Sequence, residues 1–150
     1  MGPGEKNVSA DHWRYLLMRI NLGVLFLMPL VELSMFPYLD SVGLIYCSFQ
    51  KYLFSYVLLP FFINLPIVAL GYRLLRSRRL SPEQKDAVPI VGLSLICFCI
   101  LCIHNIFVVS LCMFTVPVVI SGMFGRKRLT NWIALLNVVL LCVAVLLPKS

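Results

Sequence analysis

Four apolar stretches alternate along the chain with short polar or basic links, and the third stretch is much longer than the others. The first, from Tyr15 to about Tyr38, would measure roughly 36 Å as an α-helix, enough to cross a ~30 Å hydrocarbon core with some tilt. It is too long for a signal-peptide core and no small-residue cleavage site follows it, so it reads as a retained span. The second runs from about Tyr52 to Tyr72. It carries Pro60 and Pro66, which remove helical donors and leave the carbonyls of Tyr56 and Phe62 partly free, so a bend is expected, with Asn64 placed to satisfy one such group. The run from Val88 to Phe124 would be roughly 55 Å as one helix, nearly twice the hydrocarbon core. Its central polar pair, His104-Asn105, marks a reversal that divides it into spans of about 89–103 and 106–124, the latter with Pro117 inside. The last span covers about 131–147, with Thr130 as its expected cap.

The links carry start signals. Ser81-Pro82-Glu83-Gln84 offers a capping serine, a proline suited to the first helical position and a glutamine three residues after the cap, so a helix starts there. Met1 to Asp11 is polar and contains glycine and proline, and reads as a disordered lead-in. His12-Trp13-Arg14-Tyr15 is an aromatic-belt approach to the membrane, and Val42 to Lys51 is a half-polar surface patch. The pattern predicts an all-α protein, a polytopic transmembrane helix bundle of about five spans (15–38, 52–72, 89–103, 106–124, 131–147) forming one integral membrane domain over residues 1–150.

Composition strengthens this reading: 61% of residues are hydrophobic and 13% charged, with a mean hydropathy of +0.95, outside the range of soluble domains. A net charge of +7 suggests nucleic acid only if the basic residues share a solvated face. Here they lie in links between apolar runs, as topology signals facing anionic lipid head groups. With a cytoplasmic N-terminus, one side collects Lys6, Arg14, Arg19, Arg73, Arg76, Arg78, Arg79, Lys85, Arg126, Lys127 and Arg128, leaving Lys51 and Lys149 outside. The expected location is therefore the inner cell membrane, with the lipid bilayer as partner, no nucleic acid, and a homo-oligomer as an open alternative. Arg73, Arg76, Arg78, Arg79, Arg126, Lys127 and Arg128 are the expected lipid-facing anchors. An odd number of spans puts the C-terminus outside, so the chain reads either as a complete small membrane protein or as the front part of a longer one.

Candidate chemistry is sparse. Glu32 is the one carboxylate inside an apolar run, and intramembrane carboxylates default to ligand, proton or inter-helix roles; the bland alternative is a wetted residue near the head groups. Asn21 lies about 20° from it on the same helical face, whereas Arg19 is about 220° around. Asn21, Glu32, Asn64, His104 and Asn105 are the candidate ligand or inter-helix polar sites. Asn64 is expected to bond a neighbouring helix or a proline-freed carbonyl, and His104-Asn105 reads first as the polar turn of the chain at the interface, with recognition of a small external ligand or pH sensing as the alternative. Cys97, Cys99, Cys102 and His104 are soft-metal ligand types, but Cys97 and Cys99 point about 200° apart on a helix, so no metal site is expected there. Ser121 and Gly125 form a small-x-x-x-small pair suited to close packing. No phosphate loop, nucleophile elbow or acid/base pair is present, so neither catalytic residues nor a cofactor are expected.

From Phe114 to Thr130 a proline-bearing span ends in Ser121-Gly122-Met123-Phe124-Gly125, a basic turn Arg126-Lys127-Arg128, and Leu129-Thr130 before another apolar span. This resembles the N-terminal membrane region of bacterial GGDEF-type diguanylate cyclases and related membrane-anchored signalling proteins. The resemblance implies a bundle of about six spans ahead of a cytoplasmic output domain, and a role as a sensory or anchoring module. The chain contains no GGDEF motif, coiled linker or soluble domain, so no catalytic residue carries over and the module itself is expected not to be an enzyme. The rival expectation is a stand-alone small membrane protein forming an oligomeric carrier, pore or scaffold around Glu32 and Asn64.

Overall fold

Serine, proline and glycine in the links decide where each helix begins and ends. In the computed structural model, which describes residues 3–43, 47–103 and 107–146, these signals set off five helices: α1 (Pro3–Ser41), α2 (Phe49–Arg76), α3 (Pro82–Ile103), α4 (Phe107–Met123) and α5 (Lys127–Leu146). Four of them are long and apolar enough to cross a membrane, and α4 carries the shorter apolar stretch. The expected all-α polytopic bundle is therefore the fold.

Ser81 and Gln84 form the reciprocal capping box expected at the start of α3. The Ser81 N–H donates to Gln84 Oε1 at 2.9 Å and the Gln84 N–H to Ser81 Oγ at 3.3 Å, satisfying two donors that a helix start leaves unpaired. Ser48 caps α2, its hydroxyl accepting from the Lys51 N–H, so that helix begins earlier than Tyr52. At the other links the expectations need correction. Residues 3–11 are helical rather than a disordered lead-in. Pro3 suits a first turn, residues 5–11 contain no glycine or proline, and Asp11 pairs with Arg14 one turn later, supporting the extension. Thr130 does not cap α5: Gly125, at φ +64°, ends the preceding turn and the helix restarts at Lys127. The Thr130 hydroxyl then donates to the Arg126 carbonyl at 3.4 Å from inside the helix. Gly125 is exposed, with open space where a side chain would sit, so its work is in the turn, while Ser121 alone of that pair is buried.

Pro60 is accommodated by a change of helix type. Leu53–Leu58 winds as a π-helix, and the Leu59 N–H reaches back to the Phe54 carbonyl, so a wide turn precedes the ring that a regular α-turn would crowd.

α3 is the hub. It packs against α1, α2, α4 and α5, while α1 and α2 pack together on one side and α4 and α5 on the other. Two small cores follow. Met18, Leu25, Val68, Leu75 and Ile96 join α1, α2 and α3, and Leu93, Cys97 and Phe114 join α3 and α4, with Leu140 and Leu141 of α5 against them. The α1 positions buried against this hub, Arg14, Leu17, Met18, Asn21 and Leu25, follow the three-to-four-residue spacing of one helical face. The outward faces carry exposed Phe26, Leu30, Phe62, Leu70, Val119 and Leu146, as lipid contact requires. Alternating helix directions place the 77–81 link and the Gly125-Arg126 turn at one end of the bundle, the basic end, and the α1–α2 link at the other.

Candidate functional site

The densest polar arrangement lies at the basic end, on residues that are part of the buried stripes. Arg14 stands one turn before Leu17 and Met18 on α1. Asp86 stands one turn before Pro89 and Ile90 on α3. Packing of the two stripes brings them together: Arg14 Nε donates to Asp86 Oδ1 at 2.7 Å and Arg14 Nη2 to the Pro82 carbonyl at 3.0 Å, while Nη1 bonds Asp11. From the α4–α5 turn, Arg126 Nη1 lies 3.2 Å from Asp86 Oδ2 and 3.5 Å from Glu83 Oε1. That contact is an ion pair by distance without hydrogen-bond alignment. Arg14 is 7% exposed and Asp86 2%. Both arginines are thus paired with carboxylates, and a single carboxylate on the hub helix, Asp86, ties α1 to the α4–α5 turn. Charges this buried persist only when paired.

At the opposite end Tyr52 donates its hydroxyl to Glu32 Oε2 at 3.0 Å. Tyr52 itself is buried, with Phe36 and Tyr56 ring centroids 4.9 and 5.1 Å away. Glu32 is therefore an inter-helix residue linking α1 to α2 as well as a half-buried one. Eighteen residues of α1 separate it from Arg14, roughly 27 Å along the axis.

The remaining polar candidates do not converge. Asn21 Nδ2 donates to the Pro89 carbonyl at 2.8 Å, joining α1 to α3. Asn64 is fully buried, yet neither side-chain amide atom has a hydrogen-bond partner among the described residues. The expected bond to a neighbouring helix or to a proline-freed carbonyl is not made, because the stripe Pro60, Asn64, Val68, Gly71, Leu75 turns the amide into the apolar core instead. Asn137, which the sequence did not single out, reaches from α5 to the Phe114 carbonyl of α4 at 3.4 Å. His104 and Asn105 lie outside the described residues, between α3 and α4, which pack side by side. Arg73, Arg76, Arg78, Arg79, Lys127 and Arg128 are exposed at the basic end, whereas Arg126 is engaged by Asp86 and Glu83 rather than directed to lipid alone.

Cys97 is buried with Sγ 3.8 Å from the Met113 carbonyl, Cys99 is half-buried and Cys102 is exposed. Among the described residues no group of three or more His, Cys, Asp or Glu side chains could hold a metal. The pairing missed by sequence reasoning, Asp86 with Arg14, had no distinct signal: Asp86 is in register with the buried positions 90, 93 and 97, but α3 is apolar nearly all round. No family model matches the chain, and no curated protein or solved structure is similar to it.

Proposed function

We propose that this protein is a multi-pass sensory or anchoring module of a bacterial signalling protein, embedded in the inner membrane with its N-terminus and basic links cytoplasmic and its C-terminus external. It has no catalysis of its own. The observation that carries the reading is the placement of Asp86. A carboxylate on the helix that touches all four others is held by cations from α1 and from the α4–α5 turn. A displacement of α1 at the far end, where Glu32 meets Tyr52, shifts one arginine relative to the carboxylate it shares with the other, so the basic end has the bistable contact that helix-shift signalling uses. A carrier built around Glu32 and Asn64 has less support, since Asn64 is fully buried.

The test combines the gene with its product. The reading frame is sequenced beyond Ser150, and the activity of any attached soluble domain is measured in native membranes for the wild type and Asp86→Asn. A frame that continues into a further apolar run and a soluble domain whose activity changes in Asp86→Asn supports the proposal. A stop directly after Ser150, with solute flux into proteoliposomes that Glu32→Ala abolishes, overturns it in favour of a carrier.

A further inference from the structure

Between α2 and α3, at the basic end, runs an apolar groove of 330 Å³, walled by Leu70, Leu74, Ala87, Val91 and Leu95 and floored at Gly71 and Gly92. A Cβ on Gly71 would stand 2.7 Å from Met18 Cε, and one on Gly92 would stand 3.2 Å from Asn21 Nδ2, so α1 closes the groove from behind. Along α3 it extends from Gln84 to Leu95, roughly 16 Å of helix, which matches the ~15 Å thickness of one leaflet's hydrocarbon. Gln84 is the polar lining residue, and its capping bond to the Ser81 N–H fixes it at the mouth.

The 77–81 link that joins the two walls at that mouth carries Arg78 and Arg79, both exposed, whereas Arg76 ends α2 on the side away from the groove. Neither link arginine has an ion-pair partner among the described residues. The nearest acidic side chains in sequence, Glu83 and Asp86, are turned to Arg126 and Arg14. The basic end therefore holds two kinds of arginine: those neutralised inside the bundle, and those left uncompensated at the top of a one-leaflet apolar groove.

We infer that the α2–α3 groove is a binding site for a single anionic phospholipid, one acyl chain lying between Leu70 and Val91 and the phosphate received by Arg78 and Arg79. This is more than the general attraction of basic links to an anionic surface, because it assigns one chain to a defined groove. Apolar burial alone does not favour the groove over bulk lipid; selectivity comes from the phosphate contacts, and retention from packing against a preformed wall. The inference is independent of the signalling reading.

The test is native mass spectrometry of the purified full chain in detergent, titrated separately with phosphatidylglycerol and phosphatidylcholine. The wild type should retain one phosphatidylglycerol at least tenfold more tightly than phosphatidylcholine. The variant Arg78→Gln/Arg79→Gln should lose about 25-fold in affinity for phosphatidylglycerol, roughly fivefold for each cation removed near the head group. Ala87→Phe fills the groove from its wall and should lose about tenfold with the loop charges intact. Leu70→Ala trims an exposed wall without touching the core and should lose about threefold, which keeps the test open if Ala87→Phe alters the helical circular dichroism signal. Equal retention of the two lipids overturns the site. So does an effect of the double link variant unaccompanied by any effect of Ala87→Phe and Leu70→Ala, which leaves surface attraction only; so does loss of self-association in Ala87→Phe with lipid retention unchanged, which makes a second copy the occupant.

Discussion

Replacing Asp86 by alanine removes the carboxylate that Arg14 and Arg126 share. The two arginines respond unequally. Arg126 has a side chain 39% exposed and can turn to water at the membrane surface. Arg14 is buried on α1, loses its 2.7 Å bond, and keeps only the Pro82 carbonyl and Asp11. Removing one partner of a buried pair costs about 3–5 kcal/mol, and the surviving contacts of Arg14 place Asp86→Ala near about 3 kcal/mol. For a chain of this size that corresponds to a fall in Tm of about 10 °C. Asp86→Asn keeps an acceptor for Arg14 Nε without the charge and should fall by about half as much. The double variant Arg14→Leu/Asp86→Leu removes both charges and leaves apolar side chains of similar reach, so it should return to within about 1 kcal/mol of the wild type. Thermal unfolding in detergent, followed by helical circular dichroism, reads all three. An Asp86→Ala variant that melts with the wild type, or a double variant as unstable as the single, refutes the argument, because either result means that the cluster is solvated.

Three further outcomes follow from other contacts. Asn64→Leu should leave stability unchanged or raise it by about 1 kcal/mol in the same unfolding assay, since the amide has no partner to lose; a large loss would show that the amide is satisfied in the membrane. Tyr52→Phe removes the hydroxyl that Glu32 accepts from and should cost about 1 kcal/mol while leaving the ring contacts with Phe36 and Tyr56 in place, with no change in helical content. Gly125→Ala meets no neighbour but must adopt φ +64°, so it should cost about 1 kcal/mol, and Gly125→Asn appreciably less; equal stabilities would mean that the turn rearranges freely.

Much of the architecture was legible because span length and capping are local properties. The runs around 15–38, 52–72 and 131–147 each hold a helix, and Ser81-Pro82-Glu83-Gln84 starts α3 with the reciprocal bonds its spacing predicts. The division of the longest run also follows from length alone, since no helix of that extent fits the hydrocarbon core. What escaped was which faces meet. α3 is apolar nearly all round, so its sequence shows no single stripe to mark the side that packs, and nothing local sets Asp86 apart from the other polar residues near the helix start. Its partner Arg14 is 72 residues away, a pairing that appears only once α1 and α3 are laid side by side. Asn64 misled for the complementary reason: a proline-freed carbonyl nearby suggested a bond, but the π-turn before Pro60 and the buried face of α2 directed the amide elsewhere. The helical residues 3–11 were hidden by a composition that serves an exposed helix as well as a coil.

The central claim is a bundle in which both basic links, 77–81 and the Gly125-Arg126 turn, share one end with the Arg14–Asp86 cluster. Single cysteines at Arg79, Lys127 and Ser41, in a background with the native cysteines replaced by serine or alanine, can be probed with a membrane-impermeant maleimide on sealed vesicles of known orientation. The account predicts that Arg79→Cys and Lys127→Cys are labelled from the same side and Ser41→Cys from the other. Labelling of Arg79→Cys and Lys127→Cys from opposite sides would contradict it, because α3 and α4 could not then form the antiparallel pair that brings Arg126 to Asp86.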